Sequence, residues 1–171
     1  MSESDLELML ADAGATEAVG RALARAFPGA EHGYAALYLS GELGAGKTTC
    51  VRSLLRALGV TGLVRSPTFT LVEAYRLGAL TCVHVDLYRL QGAVQVDELG
   101  LRDFLSAGCL LLVEWAEKGG DALPMADMLV TFTYADSGRL CSLRAQSPLG
   151  REWLKNLRHD TSLASYVSNL T

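Results

Sequence analysis

A glycine-rich segment with one lysine and two threonines, residues 41–49, has the residue types and spacing best suited to chemistry. It reads Gly-Glu-Leu-Gly-Ala-Gly-Lys-Thr-Thr and matches the phosphate-loop pattern Gly-x-x-x-x-Gly-Lys-[Ser/Thr] at every fixed position. Glycines allow the backbone to curl so that successive N–H groups point into one concavity, where they bind phosphate oxygens. The positions expected to contact a nucleotide are Gly44, Ala45, Gly46, Lys47, Thr48 and Thr49.

The residues on either side of this loop predict the strand and the helix that the motif needs. The apolar residues 35–39 predict a buried strand, and residues 48–58 predict a helix that Gly59 ends. The N-terminal end of that helix adds partial positive charge where the phosphates bind. In this context the Lys47 ammonium is expected to reach the β- and γ-phosphates, and the Thr48 hydroxyl is expected to coordinate Mg²⁺. The sequence therefore predicts a site for a nucleoside triphosphate with Mg²⁺.

Two carboxylates at strand ends are candidates for the acidic half of this site. Glu114 follows an unbroken apolar run and is expected to bind Mg²⁺, while Asp86 ends another strand and is expected to assist the metal or orient an attacking water. Ligand groups in open α/β sheets lie at the carboxyl ends of strands, so both are expected beside the phosphate loop. His84, on the same strand face as Asp86, is interpreted as structural, and Trp115 as a packing residue.

Composition predicts a compact globular protein without a broad affinity for nucleic acid. The 171 residues are 50% apolar and 20% charged, which is enough to build one hydrophobic core, and the formal net charge is −4. An acidic surface disfavours an independent grip on RNA or DNA. The acidic N-terminus and the lack of a bilayer-length apolar run predict a cytoplasmic protein with no membrane association. The cysteines are widely spaced and interpreted as reduced, buried residues: Cys50, Cys82, Cys109 and Cys141.

The alternation of strand and helix patterns predicts an α/β fold: a single P-loop NTPase-like three-layer domain over residues 1–171, with a mixed, mainly parallel sheet and added β-hairpins. Residues 1–14 are expected to be weakly structured or to form a short edge strand, and Thr16 is expected to cap the first helix. The other expected elements are strands over 68–77, 80–86, 109–113, 128–134 and 139–145, and helices over 96–107 and 148–158.

With these pieces in place, the chain resembles the TsaE (YjeE) family, the bacterial ATPases of tRNA threonylcarbamoyladenosine synthesis. The phosphate loop is shared with many enzymes, but the Ser-Pro-Thr-Phe and His-x-Asp-Leu-Tyr-Arg stretches are specific. The resemblance covers residues 16–158 and rests on residues 37–49, 66–72, 84–90, 97–101 and 114–115. One departure is Ala116, where the family usually has proline; its loss restores a backbone N–H and frees the turn after Glu114.

The resemblance implies functional roles for individual residues. Lys47, Thr48, Glu114 and Asp86 correspond to the family's phosphate, Mg²⁺ and catalytic positions. Thr16 corresponds to a Ser/Thr near the adenine, Arg139 lies near a late basic nucleotide contact, and residues 66–70 correspond to a mobile, switch-like segment. Which arginine contacts phosphate is open among Arg65, Arg76, Arg89 and Arg139.

The resemblance also implies ATP and Mg²⁺ as cofactors and a TsaB–TsaD pair as the partner, with tRNA reached through that complex. ATP hydrolysis would reset the complex between turnovers. A small-molecule kinase is an alternative, but the sequence lacks an arginine-rich lid: between Glu114 and Pro148 only Arg139 and Arg144 occur, both in a strand pattern. A nucleotide-dependent assembly factor without essential hydrolysis is a second alternative.

Overall fold

A computed structural model describes residues 5–31 and 33–167 of the chain. It contains one seven-stranded sheet with helices on its faces. Short 3₁₀ segments at Leu101–Phe104, Ala116–Lys118, Gly120–Ala122 and Thr161–Leu163 connect the larger elements. Those elements are β1 (Asp5–Leu10), α1 (Ala13–Ala26), β2 (Tyr34–Gly41), α2 (Lys47–Ala57), β3 (Val72–Leu77), β4 (Leu80–Asp86), α3 (Ala93–Asp97), β5 (Cys109–Glu114), β6 (Met128–Ala135), β7 (Gly138–Ala145) and α4 (Pro148–Arg158).

The sheet is mixed, with a parallel centre and antiparallel edges. Its order is β1-β7-β6-β2-β5-β4-β3, and the four central strands β6, β2, β5 and β4 run parallel. The β6–β7 and β3–β4 hairpins and the edge strand β1 pair antiparallel. The predicted α/β class with a mixed sheet and added hairpins is confirmed.

Two apolar clusters fill the two faces of the sheet. One cluster joins the sheet to α1, α2 and α4, and the other joins it to α3 and the turns that follow α3. Strand β5 is buried at every position, as its unbroken apolar sequence predicts. Helices α1 and α2 approach closely at Gly20, where an added Cβ would lie 2.3 Å from the Cys50 carbonyl oxygen. This contact fixes the helix that follows the phosphate loop against the first helix.

The first helix begins earlier than expected. Asp12, not Thr16, is the N-cap: its backbone is extended and its Oδ1 accepts a hydrogen bond of 2.8 Å from the Ala15 N–H. Thr16 lies inside the first turn, buried, and its hydroxyl donates to the Asp12 carbonyl at 3.3 Å. The prediction of Thr16 as the cap is wrong because Asp12 offers the stronger acceptor one turn earlier.

Two other predicted elements are shorter than their sequence patterns indicate. The strand expected over 68–77 begins only at Val72, since residues 68–70 form a turn and Leu71 has a φ of 66°. The helix expected over 96–107 is wrong: α3 ends at Asp97, and the chain continues in a 3₁₀ segment. Gly100 adopts a left-handed φ of 65° between them, which ends helical hydrogen bonding there.

Several local predictions are confirmed. The strand over 109–113 is β5, residues 80–86 form β4, and both predicted hairpins are present. The cysteines are free and buried. Within residues 5–31 and 33–167, no helix is long and apolar enough to cross a membrane. Residues 1–4 of the predicted N-terminal segment lie outside the described part of the chain.

Candidate functional site

The phosphate loop connects the end of β2 to the start of α2. Gly46, just before the helix, has a φ of 117°, and an added Cβ there would lie 2.8 Å from Arg139 Nη1 and 3.0 Å from Thr16 Cγ2. A side chain at this position would therefore be strained by its backbone and blocked by its neighbours. The loop backbone can turn into the helix only because this residue is glycine.

Lys47 lies at the centre of the loop with its side chain buried. Its ammonium donates to the carbonyl oxygens of Gly41 and Glu42, at 2.6 and 2.8 Å. The same nitrogen lies 3.8 Å from the centroid of the Trp115 ring. Burial lowers the pKa of Lys47, and nearby carboxylates, Glu114 first, partly oppose that shift. Because an ammonium has three donors and two are used by carbonyls, one remains for a phosphate oxygen.

Glu114 is a buried carboxylate held on both oxygens. Thr48 Oγ1 donates to Oε2 at 2.8 Å, and His84 Nε2 lies 2.8 Å from Oε1. In the sheet Glu114 is the register partner of both Leu39 and Asp86, on the strands either side of β5. Glu114 therefore lies between the carboxyl ends of β2 and β4. The interpretation of His84 as structural does not account for its contact with Glu114.

Asp86 is a second buried carboxylate, which contacts the segment after α2. One of its oxygens accepts hydrogen bonds from the hydroxyls of Ser66 and Thr68, the latter at 3.1 Å. The other accepts the Tyr88 N–H at 2.9 Å. Phe69, within the same segment, is 81% exposed. The carboxylate thus joins the interior of the cleft to an exposed turn.

The β6–β7 hairpin contacts the back of the phosphate loop. Arg139 Nη1 donates to the Ala45 carbonyl at 2.9 Å, and the Tyr134 hydroxyl donates to the Leu43 carbonyl at 3.0 Å. Arg139, predicted as a nucleotide contact, therefore binds the loop backbone. Tyr134 is a further site residue that the sequence pattern does not indicate, because its partner is 91 residues away.

Aromatic side chains form one wall of the site. The rings of Tyr88 and Trp115 lie 5.1 Å apart between centroids, and Trp115 has a φ of 60°, unusual for a residue with a side chain. Lys118 donates to the Tyr88 carbonyl. The interpretation of Trp115 as packing alone misses its position over the Lys47 ammonium. Its place directly after Glu114 is the sequence signal that could have indicated it.

The arginines considered for phosphate contact do not converge on the site. The Arg89 guanidinium lies 4.1 Å from the centroid of the Phe69 ring, while Arg65 and Arg76 are exposed. Of the four, Arg139 contacts the loop, through a carbonyl.

These elements enclose a cleft of about 240 Å³. Its walls combine loop backbone and an ammonium on one side with carboxylates on the other, a donor set that fits phosphate and a hard cation. Within the described ranges, no three His, Cys, Asp or Glu side chains are grouped as a metal site. The lining includes Gly46, Lys47, Thr48, Thr49, Asp86, Glu114 and Trp115.

Comparison with known proteins places the chain in a family. The family model for "Threonylcarbamoyl adenosine biosynthesis protein TsaE" matches residues 10–141. The chain belongs to the TsaE family. A relative from Haemophilus influenzae, named tRNA threonylcarbamoyladenosine biosynthesis protein TsaE, is 45% identical over 115 residues, covering 67% of this chain and 73% of the relative. A Synechocystis protein of the same name is 39% identical over 122 residues, covering 69% and 74%.

A solved structure supports the same fold. The crystal structure of Bacillus subtilis YdiB aligns with a TM-score of 0.73 at 28% identity, covering 91% of this chain and 96% of that one. The resemblance predicted from the sequence is confirmed.

Proposed function

We propose that this protein is the Mg²⁺-dependent ATP-binding and hydrolysing component of tRNA threonylcarbamoyladenosine synthesis. The observation that carries the proposal is the meeting of a phosphate loop with two buried carboxylates, Asp86 and Glu114, in one cleft. Family membership supports the pathway, since the relatives are named for it. The sequence patterns support hydrolysis, because a phosphate loop alone binds a nucleotide, whereas hydrolysis also requires acidic groups beside it.

ATP would bind with its phosphates along the loop backbone. The remaining donor of the Lys47 ammonium would contact the β- and γ-phosphate oxygens, and Thr49 would lie toward the rest of the nucleotide. Thr48 and Glu114 would hold Mg²⁺. When bound, this ion would neutralise part of the negative charge of the phosphates. Gly44, Ala45 and Gly46 would contribute backbone N–H groups, in a loop that Arg139 keeps ordered from behind.

Asp86 would orient the attacking water and accept its proton. An acceptor-only carboxylate in a buried position suits this role. Its hydrogen bonds to Ser66 and Thr68 would then change with the state of the phosphates, which would move the exposed Phe69 turn. A partner that contacts this turn would sense hydrolysis.

The proposed partner is a TsaB–TsaD-like complex, reset by hydrolysis between turnovers. The net charge of −4 supports contact with tRNA through that complex and argues against direct binding of DNA. Buried free cysteines are consistent with a reducing, cytoplasmic setting.

The kinase alternative has little support from the β6–β7 hairpin. Its two arginines are engaged elsewhere: Arg139 contacts the Ala45 carbonyl, and Arg144 pairs with Asp5 at 3.1 Å. A lid that covers a transferred phosphate needs such a side chain over the cleft. Product analysis separates the two reactions, because phosphate released into water supports an ATPase and phosphorylation of an added nucleoside or sugar supports a kinase.

The Glu114→Gln variant tests whether hydrolysis is the function. The amide oxygen can still accept from the His84 Nε2–H, and the amide nitrogen can donate to the Thr48 hydroxyl, which also accepts hydrogen bonds. The amide is a poor ligand for Mg²⁺, so metal binding should be lost while the fold and partner binding persist. With the partner complex and tRNA, modification should stop after about one round. Glu152→Gln, an exposed change on α4, is the matched control. If Glu114→Gln supports continued multiple turnover, the protein is an assembly factor and the hydrolysis proposal is wrong.

A further inference from the structure

We propose that His84 is a positioning residue whose Nε2–H anchors one oxygen of Glu114, so that the other oxygen faces Thr48 and the Mg²⁺ bound there. The inference rests on the proposed function, which assigns Mg²⁺ to Thr48 and Glu114. His84 would touch neither nucleotide nor metal and would act through Glu114 alone.

The contact is short, buried and correctly directed. His84 Nε2 lies 2.8 Å from Glu114 Oε1, with the histidine side chain fully buried and the carboxylate 2% exposed. An ionised carboxylate only accepts hydrogen bonds, so the shared hydrogen belongs to Nε2. The geometry therefore describes a histidine that donates to the acid proposed to bind the metal, the arrangement by which outer partners orient metal ligands.

The second contact of Glu114 indicates why this anchor would matter when the metal is bound. Thr48 Oγ1 donates to Oε2, and Thr48 and Glu114 are the side chains proposed to hold the metal. If both side chains held Mg²⁺, the Thr48 hydroxyl would be engaged by the metal and would no longer fix the carboxylate. Within the described residues, His84 is then the remaining side-chain donor to Glu114. Without it, the terminal torsion of the glutamate would be free to rotate.

Packing alone does not explain a histidine at this position. The Nδ1 atom of His84 is buried without a hydrogen-bond partner among the residues that the structure describes. An apolar side chain would fill the same space without that unsatisfied nitrogen. The strand register explains how the contact arises: His84 pairs with Leu112, two residues before Glu114 on the neighbouring strand, so both side chains project from the same face.

The test compares three replacements for His84. Glutamine places an amide nitrogen the same number of bonds from Cβ as Nε2. Methionine is an unbranched side chain of similar length to glutamine but has no donor. Asparagine has a donor on a side chain that is too short to reach Glu114. Binding of a fluorescent ATP analogue is measured as a function of Mg²⁺ concentration, together with thermal unfolding. His84→Met should raise the half-saturating Mg²⁺ concentration about tenfold or more, with nucleotide affinity in EDTA unchanged. His84→Gln should restore most of that loss, and His84→Asn should not.

A double variant tests whether His84 acts through Glu114. In the Glu114→Gln background, His84→Met should not raise the half-saturating Mg²⁺ concentration further, because the carboxylate that His84 positions is already absent. A folded His84→Met protein with the Mg²⁺ dependence of the wild type would overturn the inference. So would a His84→Met change that raises the half-saturating Mg²⁺ concentration by the same factor in the wild-type and Glu114→Gln backgrounds. If His84→Met does not fold, His84→Gln and His84→Asn are compared instead. Equal half-saturating Mg²⁺ concentrations for these two variants would overturn the positioning role of His84.

The wild-type titration separates this inference from the function on which it rests. A wild-type protein whose ATP binding and hydrolysis do not depend on Mg²⁺ would overturn the proposed function and the role of His84 together. A wild type with clear Mg²⁺ dependence that is insensitive to His84→Met would overturn the positioning role alone.

Discussion

Replacing Lys47 with methionine should weaken the binding of a triphosphate more than the binding of a diphosphate or monophosphate. The ammonium is buried beneath Trp115 and donates to two carbonyls of its own loop, which leaves one donor for a phosphate. Methionine keeps the unbranched stem that packs against the ring but removes all the donors and the charge. The change therefore tests the phosphate contact without opening a large cavity.

The expected loss follows from the strength of one charge-assisted hydrogen bond. Such a contact contributes about 1.5–3 kcal/mol. At about 1.4 kcal/mol per factor of ten, ATP affinity should fall about 10- to 150-fold. Because Lys47 is proposed to reach only the β- and γ-phosphates, ADP should lose less affinity than ATP, and AMP should lose almost none.

Equilibrium titration with ATP, ADP and AMP measures this pattern, and a thermal unfolding curve verifies that the variant is folded. Lys118→Met is the matched control, since it removes the same charge at 5.8 Å from the same Trp115 ring, from a side chain that donates to the Tyr88 carbonyl. The control should change ATP affinity by less than about threefold. An ATP affinity of Lys47→Met equal to that of the control, or an equal loss for AMP, would refute the assignment of Lys47 to the phosphates.

Three further predictions concern the phosphate loop, the packing of α1 against α2 and the buried cysteines. Arg139→Met should weaken ATP and ADP by a similar factor, about 3- to 30-fold in calorimetric titrations, because the guanidinium orders the loop through a carbonyl; a loss confined to ATP would instead indicate direct γ-phosphate contact. Gly20→Ala should lower the free energy of unfolding by about 1–3 kcal/mol in urea, whereas Gly33→Ala, whose Cβ would meet nothing within 4 Å, should be close to neutral. Burial raises the pKa of both Cys50 and Cys82 to about 12. Thiols in the unfolded chain ionise from about pH 8.5, so the unfolded state binds fewer protons and stability should fall as pH rises from there toward 12. Urea unfolding at neutral and alkaline pH measures this fall in the free energy of unfolding. The Cys82→Ala variant should show a smaller fall. A free energy of unfolding that does not depend on pH over this range would contradict the prediction.

Local patterns predicted the parts of the site that are close together in the chain. The phosphate loop and its flanking strand and helix depend on residues that are neighbours in sequence, and so do the hairpins at 72–86 and 128–145. The unbroken apolar run of β5 indicates a buried central strand whatever its neighbours are. Glu114 and Asp86 are predictable as site residues because each is an acid at the carboxyl end of an apolar strand, and parallel strands end at the same edge of a sheet.

Errors arose where two local preferences compete. The apolar spacing over 96–107 favours a helix, but Gly100 takes a left-handed conformation that ends α3 early. Thr16 is a reasonable cap by residue type, yet Asp12 accepts the same kind of bond one turn before it. In both cases the apolar spacing does not mark where the helix begins or ends. The backbone conformation of one residue sets that boundary.

The sequence by itself determined that this chain has a phosphate loop followed by a helix, in an α/β fold with acids at strand ends. Only the tertiary structure decided which side chains meet there. The contact between His84 and Glu114 requires β4 to lie beside β5 in a particular register, and the contact between Arg139 and Ala45 requires β7 to reach the loop across the sheet. Such contacts join residues that are far apart in the chain, and strand order, which no local pattern encodes, brings them together.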